Sequence, residues 1–101
     1  MSPENETRLR DAFPALYQQD LPFGFECGDG WFDVLRDLSE KLQAAAEVGG
    51  LPQDSEDYPY ATQVKHKFTA LRWYGEHLTE RMHMLIDEAS RRARTFLSVY
   101  P

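Results

Sequence analysis

The sequence predicts an α+β fold in which three helices pack on a small antiparallel sheet, with helix as the larger component. Two long segments, residues 31–48 and 76–98, place apolar residues three and four positions apart, which is the spacing of one helix face. Residues 61–74 instead alternate apolar with charged residues, as strands do. A length of 101 residues with 42% hydrophobic residues suits one core, so we expect residues 1–101 to form a single domain.

The first predicted helix covers residues 3–13. Pro3 suits a first helical turn, and the glutamates that follow it favour the positive end of the helix dipole. Pro14 lacks the backbone N–H that a helix interior needs, so the helix is expected to stop at Phe13 and to be followed by a short turn.

A short strand is predicted over residues 23–27, with Phe23 and Phe25 on one face because side chains alternate along a strand. The next three residues, Gly-Asp-Gly, are typical of a tight turn. Asp29 in this turn is expected to cap the helix that begins at Trp31, since its carboxylate can accept hydrogen bonds from the free N–H groups of a first helical turn.

The helix from Trp31 has the most regular pattern in the chain. Its apolar stripe is formed by Trp31, Leu35, Leu38, Leu42 and Ala45. Gly49 and Gly50 are expected to end this helix in the left-handed conformation that is common at helix C-termini.

Residues 51–60 predict a loop, because they hold prolines and many turn-forming polar residues. Tyr58 and Tyr60 either fold this loop back onto the domain or belong to a contact surface, since tyrosine is common in interfaces. Both interpretations stay open at this point.

Residues 61–74 fit two short strands joined near Thr69 and Ala70. The same residues can also be placed on a helix, with Val64, Phe68 and Leu71 on one side. We favour the strands.

Gly75 is expected to separate these strands from the last helix, which runs from Glu76 to about Ser98. Its apolar stripe is formed by Leu78, Met82, Leu85, Ala89, Ala93 and Phe96. Arginines near its end match the negative end of the helix dipole.

Acidic residues concentrate in the first part of the chain. Residues 1–60 hold thirteen Asp and Glu against four Lys and Arg, a balance of −9, whereas residues 61–101 have a balance of +3. These halves either pair within the fold or present an acidic face to a basic partner. The candidate contacts for a protein partner are Asp33, Asp37, Glu40, Asp54, Glu56, Asp57, Tyr58 and Tyr60.

The later part of the chain supplies the alternative, a surface for nucleic acid. Its candidate contacts are Lys65, Lys67, Arg72, Arg91, Arg92 and Arg94, with Trp73 and Tyr74 among them. The net charge of −6 opposes this alternative, because affinity for phosphate depends on positive charge. Contact with a protein is therefore the favoured hypothesis.

No motif of a catalytic or nucleotide-binding site occurs, so we expect no enzymatic activity and no cofactor. Cys27 and a histidine such as His66 could form a thiol nucleophile pair, but a cysteine beside phenylalanines is more often a small buried apolar residue. Glu26, Asp29 and Asp33 lack the spacing of a calcium-binding loop, and no metal site is expected.

The single cysteine cannot form an internal disulfide, and the first residues contain no apolar signal segment. No run of residues is apolar enough to span a membrane. These features predict a cytoplasmic protein without a membrane partner, in which exposed aromatic residues would allow a homodimer.

Several motifs resemble, in the same order, those of a family of small uncharacterised proteins from phages and prophages of bacteria. They are Gly-Asp-Gly-Trp at residues 28–31, Gln-Val-Lys-x-Lys-Phe-x-x-Leu-Arg-x-Tyr at residues 63–74, and the helix segment from Ala89 onward. Many members continue into a Cys-x-x-Cys segment that looks zinc-binding. No cysteine follows Cys27 here, so a zinc or nucleic-acid role of that segment does not carry over.

The resemblance implies a phage or prophage origin and a location in the bacterial host cytoplasm, but no activity. Combined with the charge asymmetry, it leads us to expect a non-enzymatic binding protein that acts through protein–protein contacts of an acidic surface. An inhibitor of a host nucleic-acid-binding or defence complex would fit this expectation. The alternative is a nucleic-acid-associated phage accessory protein that uses the basic C-terminal half.

Overall fold

The computed structural model describes residues 1–67 and 70–97 of the chain. Its helices are α1 (Pro3–Ala12), α2 (Phe32–Val48) and α3 (Glu80–Leu97), and its strands are β1 (Phe25–Glu26), β2 (Tyr60–Lys67) and β3 (Ala70–Glu76). A single 3-10 turn, Asp29–Trp31, leads into α2. These elements confirm the predicted α+β class. The radius of gyration is 12.9 Å, close to the roughly 13 Å of one compact domain of about 100 residues.

The three strands lie in the order β1-β2-β3. β2 and β3 form the predicted antiparallel hairpin, with Val64 opposite Trp73 and Lys65 opposite Arg72. β1 pairs with β2 in parallel, with Phe25 opposite Val64, so the prediction of a purely antiparallel sheet was wrong. The connection explains the difference, because the chain leaves β1, crosses through α2 and returns to the sheet in the same direction.

Residues 61–67 and 70–74 form strands rather than a helix, which confirms the favoured interpretation. Leu71 and Trp73 are buried, whereas Arg72 between them is exposed, as the alternation predicts. The turn predicted near Thr69 lies outside the described residues.

α2 packs one continuous face into the core. Its buried residues are Phe32, Leu35, Leu38, Ser39, Leu42 and Ala46. Trp31 is also buried, but Ala45 of the predicted stripe is only half-buried. The left-handed conformation predicted at the end of α2 is found at Gly50, with φ 76°. Within the described ranges, no helix is both long and apolar enough to cross a membrane.

The prediction that Gly75 precedes the last helix was wrong, because this glycine lies inside β3 and α3 begins only at Glu80. A Cβ atom at Gly75 would lie 2.5 Å from the carbonyl oxygen of Tyr60 and 2.6 Å from the ring of Trp73. The glycine is therefore needed because neighbouring atoms approach the strand too closely for any side chain.

α3 buries Met82, Leu85 and Ala93 of its predicted apolar stripe, whereas Ala89 is half-buried and Leu78 lies before the helix. Ile86 and Ser90 are buried as well, although the sequence pattern did not identify them. Ser90 is satisfied because its hydroxyl accepts a hydrogen bond of 3.1 Å from the N–H of Leu71. The side chain of Phe96, the last residue of the predicted stripe, lies outside the described part of the structure.

A buried chain of hydrogen bonds joins three elements at the centre of the core. The Ser39 hydroxyl donates to the carbonyl oxygen of Leu35 at 2.7 Å, and it lies 2.6 Å from the hydroxyl of Tyr17. The indole N–H of Trp73 donates to the same Tyr17 hydroxyl at 3.3 Å. These bonds connect the turn after α1 with α2 and β3. Burial raises the pKa of Tyr17, so its hydroxyl stays protonated.

Asp29 does not cap the helix that follows it, contrary to the prediction, and no side chain caps α2. Asp29 Oδ1 instead accepts hydrogen bonds from the N–H of Ser2 at 2.8 Å and from Nδ2 of Asn5 at 3.1 Å. These bonds lower the pKa of the Asp29 carboxyl. Glu6 Oε1 accepts a further bond of 3.0 Å from the N–H of Phe25. The segment around residues 25–29 therefore docks α1.

Candidate interaction surfaces

The loop of residues 51–59 is fixed to the body of the protein at its C-terminal end. Tyr58 is 1% exposed, and Pro59 is also buried. Upstream, the N–H of Ser55 donates to the carbonyl of Pro52 at 3.0 Å, and the N–H of Tyr58 donates to the carbonyl of Ser55 at 3.2 Å. Tyr58 therefore packs the loop onto the domain, and its burial rules out the predicted role as a partner contact.

Three carboxylates extend from this anchored loop into solvent. Asp54, Glu56 and Asp57 are exposed, and among the ion pairs of the described residues none involves them. The N–H of Asp57 donates to the hydroxyl of Ser55 at 3.1 Å, which adds local order. We call residues 54–57 the acidic loop. Because no described cation neutralises it, the acidic loop presents a concentrated negative charge to solvent.

The acidic residues predicted on α2 differ, because two of them already have cationic neighbours. Asp33 lies 3.5 Å from the guanidinium of Arg36, one turn later. Asp37 lies 3.1 Å from the ammonium of Lys41 and 3.6 Å from the guanidinium of Arg92 on α3. Such exposed pairs contribute little to stability, but they reduce the negative charge available to a partner.

The remaining predicted partner contacts are separated. Glu40 is exposed on α2. Tyr60 is half-buried at the start of β2, and its ring centre lies 5.9 Å from that of His77. The structure therefore leaves the acidic loop as the coherent part of the predicted acidic surface.

The basic residues predicted to bind nucleic acid do not form one patch. The strands carry Lys65, Lys67 and Arg72, whereas α3 carries Arg91 and Arg92. The side chain of Arg94 lies outside the described part of the structure. Trp73 is 4% exposed and cannot stack on a base, but Tyr74 is 47% exposed.

The sheet has an open face that points away from the buried side chains of its strands. We define the open face by Glu26, Gln63, Lys65, Arg72 and Tyr74. In the strand register, Lys65 lies between Glu26 on β1 and Arg72 on β3, and Gln63 lies opposite Tyr74. Gln63 Nε2 donates to Glu26 Oε2 at 3.1 Å. Among the ion pairs of the described residues, none involves Lys65 or Arg72.

A half-open groove of about 600 Å³ lies beside β1 on the open face. Phe23 and Tyr74 both line it, and Phe23 is 77% exposed. The prediction that Phe23 and Phe25 lie on one face of a strand was wrong, because β1 covers only Phe25–Glu26 and Phe25 is buried. Gly24 adopts φ 63° between them, and this left-handed residue interrupts the alternation of a strand.

Cys27 is buried, as the apolar interpretation predicts. Burial raises the pKa of its thiol to about 11, so the thiolate is scarce at neutral pH. The ring of His66 instead packs against Trp31 at a tilt of 40°, with ring centres 4.9 Å apart. The raised pKa therefore opposes a role of Cys27 as a nucleophile.

No group of three metal-ligating side chains occurs in the part of the chain that the structure describes. The carboxylates considered for a cation have other partners. Glu26 accepts from Gln63, Asp29 accepts from the start of α1, and Asp33 lies beside Arg36.

Comparisons of the chain with protein-family models, with curated proteins and with solved structures found no significant match. The resemblance to phage and prophage proteins therefore stays a prediction.

Proposed function

We propose that the protein is a non-enzymatic binding protein that acts through protein–protein contacts of the acidic loop. The observation that carries this proposal is the exposure of three carboxylates on a loop whose Tyr58 is anchored in the core. An ordered loop loses less conformational entropy when it binds than a disordered one, so more of the contact energy appears as affinity.

The partner that fits the acidic loop is a basic protein surface, of the kind that binds nucleic acid. Arginine binds carboxylates and phosphates through the same charge-assisted hydrogen bonds, so closely spaced carboxylates can occupy a site built for phosphates. The implied phage or prophage origin supports a partner in the bacterial host, such as a nucleic-acid-binding or defence complex. Occupying its phosphate site would inhibit it.

The inert environment of Cys27 also supports a binding role. Its thiol is the most nucleophilic side chain of the candidate set, yet its pKa is raised to about 11. A thiol needs a lowered pKa to act as a nucleophile at neutral pH.

The experiment that tests this role is capture of bacterial host proteins on the immobilised chain at physiological salt. The wild type is compared with a variant that removes all three loop charges, D54N/E56Q/D57N. We expect a saturable basic partner on the wild type, its loss from the loop variant, and its release by added duplex DNA. A partner retained equally by both chains would contradict the proposal.

A matched control separates the loop from net charge. The variant E4Q/D11N/D20N removes the same number of charges at exposed positions outside the loop. Because these residues lie elsewhere, the control should capture the partner as the wild type does. Equal loss from both variants would show that overall charge, rather than the acidic loop, holds the partner.

A further inference from the structure

We propose that the open face binds a single strand of nucleic acid, with Tyr74 and Phe23 stacking on bases and with Lys65 and Arg72 contacting phosphates. This site is separate from the acidic loop and goes beyond the protein-binding role proposed above. It also differs from the sequence-based alternative, because the basic residues of α3 are not part of it.

The first argument is electrostatic. Lys65 and Arg72 lie directly opposite each other on neighbouring strands, and like charges at such a position repel. Glu26 is opposite Lys65 on its other side, but its carboxylate accepts a hydrogen bond from Gln63. The fold thus leaves two adjacent cations without an ion pair among the described residues. A bound phosphate would relieve their repulsion.

The second argument is the exposure of two aromatic rings in the groove beside Lys65. Phe23 is 77% and Tyr74 is 47% exposed, and both line the groove of about 600 Å³ together with Lys65. Large exposed aromatic side chains in a groove are typical of interaction sites. Aromatic rings next to cations are the combination that holds single strands, since bases stack on the rings while the cations contact the backbone.

The geometry favours a single strand over a duplex. Tyr74 and Arg72 are two positions apart on β3 and point to the same side of the sheet, about 7 Å apart along the strand. A ring at this position can reach a base only if that base is unpaired and free to turn towards the sheet. Neither contact uses the sugar, so DNA and RNA strands of equal sequence should bind with similar affinity.

The acidic residues nearby limit the affinity and make it depend on salt. Glu26 on β1 lies opposite Lys65 and lines the groove, and Glu76 lies on β3. The chain as a whole carries a net charge of −6. Two phosphate contacts on a single strand predict a log–log slope of affinity against salt of about −1.4. The binding should therefore be clear at low salt and weak at physiological salt.

The test measures fluorescence anisotropy of a labelled oligonucleotide of about 12 thymidines, titrated with the full chain at roughly 20 mM salt. The same titration is made with the matching uridine strand and with a duplex. We expect saturable binding of both single strands and weaker binding of the duplex. No anisotropy change at low salt, or tighter binding of the duplex, would overturn the proposal.

Variants of the open face identify the contacts. Tyr74→Ala should weaken binding about fivefold or more, whereas Tyr74→Phe keeps the ring and should leave it unchanged. Lys65→Gln and Arg72→Gln should each reduce the salt slope by about 0.7. Arg72 and Tyr74 are exposed and Lys65 is half-buried. Removing one of the two opposed cations should raise the melting temperature slightly, and this increase would show that the variant is folded.

The control variant is R91Q/R92Q, which removes two cations of α3 and should leave the salt slope unchanged. If this control lowered affinity as much as Lys65→Gln and Arg72→Gln together, the interaction would be diffuse electrostatic attraction and the proposed site would be wrong. Perturbation of β2 and β3 amide resonances by the oligonucleotide gives a second measurement that needs no variant. Shifts confined to α3 would also contradict the site.

Discussion

Replacing Tyr17 with phenylalanine removes one buried hydroxyl and leaves the aromatic ring in place. In the wild type this hydroxyl accepts from the indole N–H of Trp73 and bonds to Ser39. Ser39 keeps its bond to the Leu35 carbonyl in the variant, but the Trp73 N–H is left buried without a partner. An unsatisfied buried donor costs about 1–3 kcal/mol, so we expect Tyr17→Phe to lower the free energy of unfolding by about 2 kcal/mol.

The assay is urea unfolding followed by tryptophan fluorescence, with thermal unfolding as a second measure. A loss of about 2 kcal/mol should lower the melting temperature by roughly 10 °C for a domain of this size. The matched control is Tyr74→Phe, which removes the same atom from an exposed side chain and should change stability by less than about 0.5 kcal/mol. Equal stabilities of the two variants would refute the claim that the buried hydrogen-bond chain holds α2, β3 and the turn after α1 together.

Three further predictions concern single residues. Cys27 should react slowly with a thiol reagent in the folded protein at neutral pH, because burial raises the pKa of its thiol to about 11. It should react rapidly once the chain is unfolded in denaturant. Fast alkylation of the folded protein would disprove the protection of the thiol by burial. Asp29→Asn should lower the urea midpoint, because hydrogen bonds to the start of α1 hold the folded-state pKa of Asp29 below its ordinary 3.8. The loss of stability relative to the wild type should be complete at about pH 6 and should shrink as the pH falls through the folded-state pKa. A loss of stability that does not change with pH would count against the bonded carboxylate. Gly75→Ala should lower the free energy of unfolding by about 1–3 kcal/mol, because the alanine Cβ would lie 2.5 Å from the Tyr60 carbonyl oxygen and 2.6 Å from the Trp73 ring. An unchanged urea midpoint would contradict this prediction and show that β3 moves to accept the side chain.

The parts of the fold that depend on long periodic patterns could be predicted from the sequence. α2 and the β2–β3 hairpin carry enough alternation or helical spacing to identify their buried faces. β1 could not be assigned in this way, because two residues leave no period and its parallel pairing is set by the crossover through α2. Ser39 and Ser90 were missed for a different reason, since a polar residue enters the core only when a specific partner satisfies it.

The candidate surfaces were only partly predictable. The acidic loop follows directly from composition, because prolines and clustered carboxylates favour an exposed turn. The open face could not be recognised beforehand, because the exposure of Phe23 depends on the left-handed Gly24 and the approach of Lys65 to Arg72 depends on the strand register. Tyr58 shows the opposite error, since its aromatic ring anchors the loop rather than contacting a partner.

The most direct test of the protein-binding role is displacement of a labelled DNA duplex from the purified partner that the capture experiment yields. At physiological salt the open face is expected to bind a duplex only weakly, so release of the DNA reports occupation of the partner's own phosphate site. The wild-type chain should release the duplex in proportion to its binding, and D54N/E56Q/D57N should not release it at the same concentration. A duplex that stays bound with the wild-type chain present, or equal release by both chains, would contradict the role of the acidic loop.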